Sequence, residues 1–156
     1  MNKKLLYPLI WIFFFAADRL SKAWAFINLA DQDIYFFPGL SFELAWNRGI
    51  SYGMLQFSSD TNFWFLTAGI TLVTAILVIY AFSMLRRGEQ IVGELLVLAG
   101  ACSNLVDRFM YGAVLDFIDL YVGPWHWYTF NLADTWVVIG VGVMMYKYFV
   151  QDRGVS

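Results

Sequence analysis

The chain has 156 residues, of which 60% are apolar, 20% aromatic and only 14% charged. So little polar surface excludes an ordinary soluble domain of this size and points to an integral membrane protein. A net charge of −2 leaves no basic face for nucleic acid, and a single cysteine, Cys102, excludes an internal disulfide.

In chain order, the first apolar stretch, 5–28, follows Lys3 and Lys4 and carries Asp18, Arg19 and Lys22. A cleaved signal peptide would end near Ala16 and Ala17. The apolar pattern instead resumes as AWAFINLA beyond Lys22, as in a retained helix whose polar groups face its neighbours. Asp18 and Lys22 stand four residues apart with the acid first, so they pair along one helical face. The connection that follows is patterned. Its segment LSFELAW puts Leu40, Phe42, Leu44 and Trp46 on one face of a strand, with turns at Pro38-Gly39 and Asn47-Arg48-Gly49 and a returning strand at ISYGML. These signals predict a small β-sheet at about 34–58, lying on the outer membrane surface and either covering the helices or cradling a substrate.

The stretch 63–85 is uncharged throughout and, at about 1.5 Å per residue, long enough to cross a ~30 Å hydrocarbon core. The stretch 91–110 is interrupted by Glu94, and 130–149 is entered through Asp134. The spans are therefore 5–28, 63–85, 91–110 and 130–149 of a single membrane domain, 1–156. Lys3, Lys4, Arg86, Arg87, Lys147 and Arg153 fall on one side of such a bundle, which the positive-inside rule makes the cytoplasm. Both termini are then cytoplasmic, and the third and fourth spans meet at the outer leaflet.

Polar residues crowd that outer end. Asn104, Asp107 and Arg108 project from one side of the third span and can hydrogen-bond as a cluster, although Asp107 and Arg108 could equally neutralise each other. Asn131 can cap the fourth span, with Asp134 on the same face. Asp116 lies between the two spans, and isolated carboxylates are hard to keep at this depth without a purpose. Two carboxylates held close in a low-dielectric site cannot both ionise easily. One then keeps a proton while the other stays charged, as peptide hydrolysis by water requires. Asp116 and Asp134 are the chosen pair, with Asp119 a competitor of Asp116 on spacing alone. His126 is the only histidine and has no metal-ligand cluster around it, no serine has an evident base partner, and no glycine-rich phosphate loop is present. No metal and no cofactor are expected.

Five blocks can be read together: DRLSK at 18–22, NRGISYG at 47–53, SNLVDR at 103–108, VLDF at 114–117 and FNLAD at 130–134. In this order they resemble the motifs of lipoprotein signal peptidase, or signal peptidase II, over nearly the whole chain. The resemblance implies a bacterial inner-membrane aspartyl endopeptidase that cleaves diacylglyceryl-modified prolipoproteins just before the lipidated cysteine. It implies the catalytic pair Asp116 and Asp134, substrate-lining roles for Asn47, Asn104, Arg108 and Asn131, and supporting roles for Asp18 and Lys22. The expected partners are lipid-modified prolipoproteins and membrane lipid, and the chain is expected to be a monomer. Ser103, where a glycine is common, and Ile50 and Tyr52 depart from the pattern and bear on pocket shape. The expected fold is an all-α integral membrane four-helix bundle with a small extracytoplasmic β-sheet between helices 1 and 2. A different class, a non-catalytic small membrane transporter or assembly factor, would use Asp18, Lys22 and the outer acids as a relay.

Overall fold

The computed structural model describes residues 3–49 and 59–153. Among the described residues four helices run α1 (Lys3–Asn28), α2 (Asp60–Arg86), α3 (Val92–Tyr111) and α4 (Leu132–Arg153), close to the four apolar stretches. The same described residues hold four strands, β1 (Ile34–Phe37), β2 (Leu40–Asn47), β3 (Val114–Val122) and β4 (Trp125–His126), in one antiparallel sheet of order β1-β2-β3-β4.

The helices are inside-out by the standards of a soluble protein. Helix α1 buries Asp18 and Lys22 while Leu9, Phe13, Leu20 and Ile27 face outward, and α2 leaves Phe65, Leu72 and Ile79 exposed. Helix α2 alone, among the described residues, is by length and composition sufficient to cross a membrane, with a mean hydropathy of 2.2 over its most apolar 18 residues. Helix α3 packs against α1, α2 and α4. Its contact with α4 is backbone to backbone, because a Cβ on Gly100 would lie 2.3 Å from the Ala133 carbonyl oxygen and one on Gly93 would lie 2.8 Å from that of Gly140. Small residues permit this approach.

The turn at Pro38-Gly39 is present, with Gly39 at φ 105°. The segment ISYGML lies outside the described residues, and β2 pairs instead with β1 on one side and β3 on the other. The sheet is thus not confined to the α1–α2 connection: half of it comes from the segment between α3 and α4. Helix α3 ends at Gly112, in the left-handed region at φ 66°, whose N–H returns to the Arg108 carbonyl at 3.1 Å. That cap turns the chain straight into β3. Asp116 therefore sits within a strand rather than at a helix end. The β2–β3 register sets Ala45 opposite Asp116 and Asn47 opposite Val114, so the two connections meet beside the first turn of α4.

Candidate active site

Asn131 is the joint of the site. It precedes α4 and caps it, its side-chain oxygen accepting the Asp134 N–H at 3.0 Å while the Asp134 carboxylate accepts the Asn131 N–H at 3.3 Å. This reciprocal cap holds two of the helix's otherwise orphaned donors and fixes Asp134 in the first turn, where the helix dipole favours an acid. The Asn131 side-chain amide points the other way. Its Nδ2 is 2.6 Å from Asp116 Oδ1, 3.1 Å from Asn104 Oδ1 and 3.3 Å from the Leu115 carbonyl. One residue thus touches both carboxylates.

Asp116 and Asp134 are 2% and 5% exposed. The second oxygen of Asp116 accepts from Asn47 Nδ2 at 3.0 Å, and Asp134 Oδ1 accepts from Asn104 Nδ2 at 3.0 Å. Asn47 is itself held in an Asx turn, its Oδ1 accepting the Gly49 N–H at 2.8 Å, and Arg108 donates to the Gly49 carbonyl. The Asp116 carboxyl is pushed up to about 7, first by burial and then by the negative charge of Asp134, against the opposing effects of Asn47, Lys22 and Asn131.

Beneath this pair lies a neutral block of four charges. Lys22 Nζ lies 3.0 Å from Asp18 and 2.8 Å from Asp107 and donates to Asn104 Oδ1 at 2.7 Å, while Arg19 pairs with Asp107. Asp18 also accepts from Ser103 Oγ at 2.6 Å and from the Ala133 N–H at 2.7 Å. The predicted Asp18–Lys22 pair is therefore real, but it is one edge of a network tying α1 to α3 and α4.

The structure brings Asn47, Asn104, Arg108, Asn131, Asp18 and Lys22 around Asp116 and Asp134. Of the expected Asn104–Asp107–Arg108 cluster, Asn104 and Asp107 meet through the shared Lys22 ammonium, whereas Arg108 turns away to the Gly49 carbonyl. The reason is that α3 directs Asp107 toward α1, where two cations wait, and Arg108 toward the loop after β2. Asp119 stands apart from the pair, held by Ser41 Oγ at 2.8 Å and His126 Nδ1 at 2.7 Å. Sequence reasoning missed Arg19 as a partner of Asp107. It also missed Phe63, a fully buried ring between the guanidinium groups of Arg48 and Arg108 at 5.2 and 5.3 Å. Arg19 lies three residues before Lys22, a spacing that could have placed both on the side facing α3. Phe63 gave no signal among so many aromatics.

The model of the family described as signal peptidase (SPase) II matches residues 10–150. The chain belongs to the signal peptidase II family. A lipoprotein signal peptidase of Methylorubrum extorquens is 37% identical over 131 residues, covering 81% of this chain and 75% of the relative. Another, from Sulfurihydrogenibium, is 33% identical over 162 residues, covering 100% of this chain and 99% of the relative. A bacterial membrane enzyme solved by the in meso method shares the fold, with a TM-score of 0.72 at 23% identity over 95% of this chain and 89% of that one. A second such structure gives 0.68 at 24% identity, over 92% of each chain. Membership of the signal peptidase II family makes the chain a protease that removes signal peptides from prolipoproteins.

Proposed function

We propose that this peptidase is of the aspartic type, with Asp116 and Asp134 as its catalytic residues and a diacylglyceryl-modified prolipoprotein as its substrate, cut just before the lipidated cysteine. The observation that carries it is the joining of two buried carboxylates through Asn131, with Asp116 raised to about 7 so that it holds a proton near neutrality. Asp134 then takes a proton from water as the oxygen attacks the scissile carbonyl. Protonated Asp116 donates a hydrogen bond to the carbonyl oxygen, where negative charge develops. When the tetrahedral intermediate collapses, the carbon–nitrogen bond breaks and the departing cysteine nitrogen takes up the proton. Asn47, Asn104 and Asn131 hold the carboxylates in place, Arg108 holds the loop at Gly49, and Asp18 and Lys22 support them from below.

A chamber of about 610 Å3 between α2, α3 and α4 favours an apolar signal segment. Leu66, Ile70, Val73 and Val97 line it, and Asn104, Arg108 and Asp134 stand at its polar edge. Apolar residues facing outward on all four helices support a four-span bundle, a single domain over 1–156, embedded in the bacterial inner membrane. The basic residues Arg86, Arg87 and Lys147 at one end favour cytoplasmic termini and a catalytic pair toward the outer leaflet, in a monomer bathed by lipid.

The test is a gel-shift assay of purified protein in detergent with a diacylglyceryl-modified prolipoprotein, beside Asp116→Asn and Asp134→Asn. Wild type should cleave, and each variant should lose essentially all turnover while eluting and melting as a folded protein. Substantial turnover by either variant removes that residue from the catalytic pair.

A further inference from the structure

The two carboxylates open into different chambers. Asp134 lies on the edge of the 610 Å3 apolar chamber between α2, α3 and α4. Asp116 lines a second, open cavity of about 300 Å3 together with Ala45, Trp46 and Asn47 of β2 and the segment from His126 to Thr129. The first cavity is walled mainly by aliphatic and aromatic side chains, whereas the second sets Asn47, Asp116, His126, Tyr128 and Thr129 beside the indoles of Trp46 and Trp127. A peptide bond acted on by both carboxylates must lie at the partition between them. Its two arms then leave into opposite chambers, and the apolar chamber suits the signal segment.

Given the peptidase assignment above, we infer that the polar cavity beside Asp116 is the binding site for the first residues of the mature chain, those directly following the lipidated cysteine, and that it selects small polar ones. At about 300 Å3 it lies at the lower limit of ligand pockets, which run from about 300 to 1,000 Å3, so it accommodates a short stretch rather than a folded segment. Its outer wall is fastened at two points. Thr129 Oγ1 donates to Glu43 Oε1 at 2.7 Å, and His126 Nδ1 meets Asp119 at 2.7 Å, with the His126 ring stacked on Tyr121 at 5.2 Å. Tyr128, in this wall, and Ala45, in β2, both line the cavity. A bulky side chain in the position after the cysteine meets that wall, while serine or glycine does not.

The experiment compares two diacylglyceryl-modified prolipoproteins that share a signal segment and differ only in carrying serine or tryptophan after the cysteine. Wild type should prefer serine by about tenfold or more in kcat/KM, the scale on which a pocket rejects excess bulk. Tyr128→Ala should bring the serine-to-tryptophan ratio toward one, and Ala45→Leu should raise it. Because the readout is a ratio, a general loss of activity in either variant does not mimic the effect, and the other variant decides if one fails to fold. A wild-type ratio near one, or a ratio that neither variant moves, overturns the inference. Failure of wild type to cut even the serine substrate would overturn the aspartic peptidase assignment with it.

Discussion

Asp116 carries the proton on which the proposed chemistry depends, and its environment makes the pH behaviour calculable in sign. With its carboxyl near 7, the pair loses its shared proton above neutrality, so kcat/KM should fall as pH rises through about 7. Initial rates across pH 5 to 9 check this, and a flat profile over the upper half would contradict it. Stability follows from the same shift. The folded state keeps a proton that the unfolded chain releases at about 3.8, so folding stability should decline as pH rises from about 4 to about 7 and level off above that. Asp116→Asn should abolish this slope in detergent melts; a slope unchanged in the variant would place its source elsewhere. Asn131 separates two roles that the structure merges. Asn131→Ala should cost about 1–2 kcal/mol through the lost cap alone. Asn131→Asp keeps the cap oxygen but sets a third carboxyl against Asp116 in place of the amide, so it should be inactive and should regain stability as pH falls and the carboxyls protonate. Of these residues, Asp134 and the capping role of Asn131 were legible from spacing, whereas the place of Asn47 beside Asp116 came only from family resemblance. No local pattern reports a contact between residues 69 apart.

Glycine marks the element contact that matters most. A Cβ at Gly100 would press into the Ala133 carbonyl at 2.3 Å, and Ala133 supplies the N–H held by Asp18 and adjoins Asp134. Gly100→Ala should therefore force α4 away, lowering stability by about 1–3 kcal/mol and activity by more. Gly69, in the middle of α2, has nothing within 4 Å of an added Cβ. Gly69→Ala should leave stability unchanged or raise it by up to about 1 kcal/mol, from helix propensity alone. Thermal melts of the two variants side by side test the contrast. The helices were readable because a long apolar run has few alternatives to a helix. Strand β3 was not, because VLDFIDLYV is buried along most of its first half on both faces, and a strand covered on both sides loses the period of two that reveals it. The exposed turn at Pro38-Gly39 kept its signal, so β2 was found and the partner that carries Asp116 was missed.

For the whole molecule, composition alone pointed to a membrane protein; the structure buries Asp18, Lys22, Asp107, Arg108, Asp116 and Asp134 and leaves many large apolar residues of its helices exposed. The orientation can be tested with thiols. In a Cys102→Ser background, Gln32→Cys and Gln90→Cys put labels on exposed positions in the α1–β1 and α2–α3 connections. An impermeant reagent on intact cells should modify position 32 and spare position 90 until the membrane is opened. The reverse pattern would invert the topology. On the proposed catalytic pair, the order of assembly also sets when activity begins. Asp18, in the first helix, grips the N–H of Ala133, at the start of the last, and the Asn131 that caps that last helix is the residue that orients Asp116. A ribosome releases these parts in order, so a nascent chain holding three helices has Asp116 but neither its partner nor its bridge. With Asp116 and Asp134 as the proposed pair, the chain is no protease while it is being made, and the act that completes the bundle is the act that arms it.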